Sequence, residues 1–315
     1  MRYYRALSHF FALIKSLLST GVILKMSRRN TILFLLAGFL WGIPYLFIRV
    51  AVDPETGFSP AIVVFIRVFI GALILVPISI YDKSLFVAIK GWKYIAVYAL
   101  FELVIPWILI GTAEQSISSG LAGLLVASVP IFSTIISSMY GDKSVWHPRR
   151  LFGMAIGFLG VFLLVGIESF TGSSDPIAIF MMLGASVGYA YAVIYITRKM
   201  PGVSGVAINA IAMAMTALFY SPALFLLWPD HKISLSATYS VIALGVFSTG
   251  IAFAVFFTVM AEIGPTRASL VTYMNTAFAV VLGVLILSEP LTIGIVVGLP
   301  LVLIGSYLAS RKVNA

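Results

Sequence analysis

Few side chains in this sequence could do chemistry, and those that could stand alone inside apolar runs. The histidines, His9, His147 and His231, are scattered without metal-ligand spacing, and there is no cysteine. Disulfides, iron–sulfur clusters and thiol catalysis are therefore excluded, and no metal site or cofactor is expected. No convergent acid–base or nucleophile set marks catalytic residues, so an enzyme is not expected. A phosphate-binding loop of the form G-x-x-x-x-G-K-[ST] is also absent, which disfavours transport driven directly by ATP. What remains is Glu102, near the centre of a run of spanning length, where an acid is costly enough to be a functional candidate by default. Arg67 lies in the preceding run at a depth that differs by roughly 8 Å, a gap a long arginine side chain can bridge. An Arg67–Glu102 ion pair is therefore predicted. An apolar setting favours the neutral acid, and a guanidinium neighbour favours the carboxylate. If the pair persists, Glu102 is structural; if substrate or motion separates it, the carboxylate can bind a proton or an amine. Asn275 is the other polar outlier, because a primary amide in lipid needs partners and turns inward, as a site residue or as helix-to-helix glue. Asn209 carries less weight, since it lies close to a helix end.

The elements that hold these residues are legible from composition. The chain has 315 residues, 61% hydrophobic and 10% charged, with a mean hydropathy of +1.10, whereas soluble domains carry about 25% charged residues. A soluble fold could not cover that apolar surface. A spanning helix needs about 20 apolar residues, and charges, Pro and Gly delimit runs at 31–51, 61–80, 94–113, 116–139, 150–167, 176–197, 204–228, 236–259, 265–287 and 291–309. The expected fold class is thus an all-α integral membrane protein of about ten transmembrane helices. The net charge of +9 does not call for nucleic acid, because the basic residues cluster between runs; they report membrane orientation. With the N-terminus inside, seventeen of the twenty Lys and Arg fall on the inner side, Lys232 falls outside, and Arg49 and Arg67 lie within spans. Both termini are therefore expected to be cytoplasmic, in a plasma-membrane, multi-pass protein. Residues 1–30 form a basic segment read as an interfacial helix, a signal peptide or an extension from an early start codon, with Met26 as a natural beginning. Residues 310–315 form a short cytoplasmic tail.

The two halves, 31–167 and 176–309, resemble one another at an offset of about 145–148 residues. Trp41-Gly42-Ile43-Pro44-Tyr45 aligns with Val187-Gly188-Tyr189-Ala190-Tyr191, and Ala113-Glu114 with Ala261-Glu262. Gly153 and Gly160 align with Gly298 and Gly305 at the same spacing of seven. Five spans per copy is an odd number, so the second copy enters the bilayer from the opposite side. Such inverted repeats mark secondary transporters, whose halves exchange conformations around a midplane site. Rival readings fare worse: a channel would be favoured by rings of charge, which are absent, and a scaffold has no need of paired inverted halves.

With Trp41-Gly42, Pro60…Arg67, Ser118-Ser119-Gly120-Leu121-Ala122…Pro130-Ile131-Phe132, Gly264-Pro265-Thr266-Arg267-Ala268-Ser269 and Leu287-Ser288-Glu289-Pro290-Leu291-Thr292, the sequence resembles the drug/metabolite transporter superfamily, and within it the EamA-type ten-helix transporters. It departs at Gly141-Asp142-Lys143, where a Gly-Glu pair is usual, and at Thr276, where proline is frequent. The resemblance implies a central cavity bounded by spans one, three, four, six, eight and nine. Those spans carry Tyr98, Tyr189 and Tyr195, and the site residues expected among them are Trp41, Tyr45, Glu102, Trp107, Tyr191, Tyr273 and Asn275. Aromatics with polar tips strip water from an organic solute while keeping a few hydrogen bonds, and they equally serve as packing or interfacial anchors. Pro44, Pro106 and Pro130 interrupt three of these helices, leaving carbonyls free to bind solute or act as hinges, or making fixed kinks. Gly153-xxx-Gly157 and Gly294-xxx-Gly298 read as an internal seam or a homodimer face, the seam preferred. The function implied is export of small amphiphilic metabolites such as amino acids, with nucleotide-sugar or drug transport as the alternative. The expected partners are a small-molecule substrate and the lipid bilayer.

Overall fold

The computed structural model describes residues 26–141, 143–170, 175–263, 268, 271–290 and 292–310. Residues 1–25 and the tail beyond Ser310, most of the Gly264–Ser269 motif, Asp142, Leu291 and the side chain of Tyr273 lie outside the described residues. The described chain forms ten helical rods: α1 (Arg28–Ala51), α2 (Pro60–Tyr81), α3 (Ser84–Ala113), α4 (Ser119–Met139), α5 (Pro148–Phe170), α6 (Pro176–Lys199), α7 (Gly205–Leu226), α8 (Leu235–Ile263), α9 (Val271–Ile286) and α10 (Ile293–Ser310). Among the described residues, seven of these (α1–α4 and α6–α8) are long and apolar enough to cross a membrane. Their beginnings are encoded locally. Ser27, Ser118, Asp175, Ser204 and Ser234 cap α1, α4, α6, α7 and α8 by accepting from backbone amides of the first turn, and Pro60 and Pro176 start α2 and α6, where the missing N–H costs nothing.

Two rods differ from the expected runs. α3 begins ten residues before 94, because Asp82 accepts from the Ser84 amide and a short helical elbow then carries Lys90 and Lys93 on its exposed side. α8 runs on to Ile263 and so includes Glu262, which pairs with Arg29 at the start of α1.

Packing displays the repeat directly. α1 lies against α8 and α9, while α6, its counterpart, lies against α3 and α4. α2 packs on α8, and α7 on α3. The contacts of α2 with α7, α4 with α9 and α5 with α10 are self-exchanging. For these pairs, adding five to each helix number returns the same neighbours. With five helices per half, the two halves are inverted repeats. The α5–α10 contact is close enough that a Cβ added to Gly305 would lie 2.3 Å from the Gly157 nitrogen, so at least this glycine face is an internal seam. Its partner on α10 is Gly305, with Leu301 and Val302 against Gly160.

The two ends of the bundle can be told apart. At one end the 52–59 link meets the α7–α8 link, where Ser234 N–H donates to Thr56 O at 2.9 Å and the His231 ring lies 2.9 Å from Gly57 O. At the other end stand the Arg29–Glu262 pair and Arg198, whose guanidinium sits 4.7 Å from the Tyr140 ring centre.

Candidate functional site

Five of the rods are broken or distorted, and the breaks place the polar side chains. α1 is interrupted at Ile43, one residue before Pro44, and α4 at Ala127–Ser128, just before Pro130. α3 widens into a π-helical stretch, Leu100–Val104, immediately before Pro106. α8 has a matching stretch, Leu244–Ile251, with no proline to explain it, and α7 stops at Tyr220 before a last turn, Ala223–Leu226. Wide turns of this kind leave main-chain carbonyls without their usual partner and recur at functional sites. In α3 the stretch carries Glu102, and in α8 it carries Thr249, 147 residues later and hence at the related position.

Arg67 of α2 is 8% exposed and lies between these elements. Its Nε donates to Thr249 Oγ1 at 2.8 Å, and that hydroxyl donates in turn to Leu244 O, a carbonyl of the widened stretch, at 2.9 Å. Its guanidinium carbon stands 3.6 Å from the centre of the Trp107 ring. A flat cation on an aromatic face in a dry setting contributes about 2 kcal/mol. Tyr45, just past the α1 break, and Tyr189 of α6 are both within electrostatic reach of Arg67. The Tyr45 ring rests where α4 has Gly123, whose added Cβ would lie 3.3 Å from it. This buried cluster draws Tyr45, Arg67 and Trp107 from the first repeat and Tyr189 and Thr249 from the second.

The predicted Arg67–Glu102 ion pair is not formed. Arg67 is already committed to Thr249 and Trp107, and Glu102 Oε2 is buried without a hydrogen-bond partner. Depth alone was the basis of the pairing, and the direction each helix presents its side chain decided otherwise. Glu102 instead has Tyr189 and Tyr98 in electrostatic reach, and the Tyr98 hydroxyl is 3.1 Å from Asn209 Oδ1. The other expected residues divide. Trp107 and Tyr45 join the cluster. Trp41 packs instead on Phe253 and Phe256 of α8, with ring centres 5.4 and 4.4 Å away. Tyr191 stacks with Tyr195 and meets Phe101 edge-on, with ring centres 5.7 and 4.8 Å away, outside the Arg67 cluster. Asn275 is 8% exposed on α9, where its Oδ1 lies 3.3 Å from the Thr276 hydroxyl.

Carbonyls beside two of these breaks accept from side-chain hydroxyls. Around the α4 break, Thr276, Ser186 and Ser306 of the second repeat donate to Gly123 O, Leu125 O and Ala127 O at 3.2, 3.2 and 2.7 Å. The Tyr220 hydroxyl donates to Val104 O of α3 at 3.0 Å. Thr249 and Glu114 were not singled out from the sequence as site residues. The signal for Glu114 was present in the Ala113-Glu114 match to Ala261-Glu262, but an acid next to a link reads as solvated, whereas the residue is 0% exposed.

Comparison with known proteins gives this arrangement a context. The EamA-like transporter family matches residues 29–166 and again residues 176–311. An uncharacterized inner membrane transporter of Escherichia coli (strain K12), YedA, is 26% identical over 87% of this chain and 90% of its own length. An uncharacterized transporter of Archaeoglobus fulgidus is 27% identical, covering 86% of this chain and 95% of its own. YvbV, an uncharacterized transporter of Bacillus subtilis (strain 168), is 22% identical, covering 91% and 93%. One solved crystal structure shares the fold with a TM-score of 0.63 at 16% identity, over 90% of this chain and 97% of that one.

Proposed function

Because the chain belongs to the EamA-like transporter family, we propose that it is a secondary transporter that exports small amphiphilic metabolites, such as amino acids, across the plasma membrane by alternating access. In this reading both termini are cytoplasmic and the 52–59 end faces outward. The observation that carries it is the buried Arg67, held by Thr249 of one repeat and Trp107 of the other, with Tyr45 and Tyr189 beside it. A cation, aromatic faces and hydroxyls recognise an amphiphilic solute, and partners from both repeats would part when the halves exchange conformations. Transport of nucleotide sugars or drugs is the alternative within the same superfamily.

The test is counterflow in liposomes containing the purified protein, using a panel of amino acids, nucleotide sugars and cationic drugs with and without a pH gradient. Counterflow of amphiphilic metabolites is expected. It should fall about tenfold or more in Arg67→Lys, because an ammonium cannot donate to Thr249 while lying flat on Trp107. Counterflow of nucleotide sugars or drugs alone would favour the alternative, and none by a folded protein would overturn the transport reading.

A further inference from the structure

One buried acid borders the cluster around Arg67 without a hydrogen bond to it. Glu114 follows Ala113, the last residue of α3, and is 0% exposed. Neither oxygen of its carboxylate has a hydrogen-bond partner. Arg49 of α1 reaches the residue but donates to its backbone carbonyl. From the α9–α10 link, Glu289 faces it, and Glu289 is engaged elsewhere: Ser119 N and Oγ donate to it at 2.8 Å each and Gly120 N at 3.1 Å. Among the described residues, Arg67 of α2 and Tyr45 of α1 are the other charged or titratable groups in electrostatic reach. Glu114 also sits inside the closure of the 52–59 end, where the neighbouring Gln115 Nε2 donates to Val52 O at 3.1 Å.

A buried carboxylate that no side chain donates to, with a second carboxylate nearby, costs far more than the neutral acid. Burial first, and then Glu289, hold the Glu114 carboxyl well above the usual carboxylate range, against the smaller pulls of Arg49 and Arg67. We infer that Glu114 is a proton-binding site tied to closure of the 52–59 end, so that this end closes with one proton bound and opens as the proton leaves. The inference rests on the alternating-access reading. On opening, the O–H bond of the Glu114 carboxyl breaks, the proton passes to water at that face, and the carboxylate is left hydrated.

The sign follows from the two states. The closed state holds its proton to higher pH than the open state, whose carboxyl titrates near the ordinary value of about 4.3. Above that value, and until the closed-state carboxyl itself titrates, each pH unit lowers the ratio of closed to open about tenfold. Acid therefore closes this end, and alkali opens it.

The absence of cysteine makes Val52→Cys, at a position 0% exposed, a reporter of opening. Its labelling by an impermeant maleimide in proteoliposomes is followed between about pH 5.5 and about pH 7.5, and normalised to exposed Thr56→Cys to cancel thiol ionisation. The normalised rate should rise about tenfold per pH unit and become flat and low when Glu114→Gln is added. His231→Gln should keep the full rise. A rise that survives Glu114→Gln, or one that disappears with His231→Gln, overturns the inference. So does failure of Glu114→Gln to insert, since the amide is the neutral surrogate of the protonated acid. The labelling needs no substrate, so a folded protein that shows the rise without counterflow of any solute loses the transport reading alone.

Discussion

Glu102 lies within α3 and Glu114 directly follows its last residue, and the two differ in what surrounds them. Glu114 is sealed with both oxygens unpartnered, whereas Glu102 is partly exposed and only its Oε2 is buried without a partner. With Tyr98 and Tyr189 beside it and no arginine paired to it, Glu102 is free to accept from a solute. A hydrogen bond to a charged group contributes about 1.5–3 kcal/mol, so Glu102→Gln should weaken transport of amine-bearing solutes by about tenfold or more. Since no ion pair is broken, the same variant should insert normally and keep its thermal midpoint in detergent. Undiminished transport of amines by folded Glu102→Gln would remove the residue from the site, and a collapsed midpoint would make it structural.

At the scale of the element, Pro44 and Pro130 do different work although each follows a helix break. The α4 break before Pro130 is cemented by hydroxyls of α6, α9 and α10. The α1 break at Ile43 has no side-chain cap and turns directly into Pro44. Restoring a main-chain hydrogen bond matters where nothing else holds the bend. Pro44→Ala is accordingly expected to straighten α1 and slow counterflow several-fold, as its repeat counterpart Ala190 sits in an unbroken α6. Pro130→Ala should change counterflow by less than about twofold, while Ser306→Ala lowers stability by about 1–3 kcal/mol through the carbonyl it strands. Equal slowing by both proline variants would mean that the bends act together rather than α1 alone.

For the whole molecule, the exchange of neighbours between halves sets which links share a face. The 52–59 link touches the α7–α8 link, so Thr56 and Lys232, both exposed, must be on one side. With the positive-inside rule placing that side outside, single cysteines at Thr56 and Lys232 should react with an impermeant reagent added to intact cells. A cysteine at the exposed Lys143 should react only after permeabilisation. Labelling of Lys143→Cys in intact cells with protection of the other two would reverse the topology.

Sequence alone determined the number of rods and the inverted repeat, because span length and the odd count per copy act through one helix at a time. It marked Gly153-xxx-Gly157 as a close-packing face, and the structure set that face against Gly305. It also marked Trp107, Tyr45 and Arg67, whose types stand out in an apolar run. Tertiary structure decided their partners. The pairing of Arg67 with Glu102 failed because depth along two helices is a one-dimensional measure, while the guanidinium is directed by the rotation of α2 toward α8 and the Trp107 face. Thr249 is an ordinary hydroxyl until the π-helical stretch of α8 turns it toward that guanidinium. Glu114 reads as a solvated link residue until the closed 52–59 end covers it. A residue's burial belongs to everything packed around it, and only the folded chain brings those neighbours together.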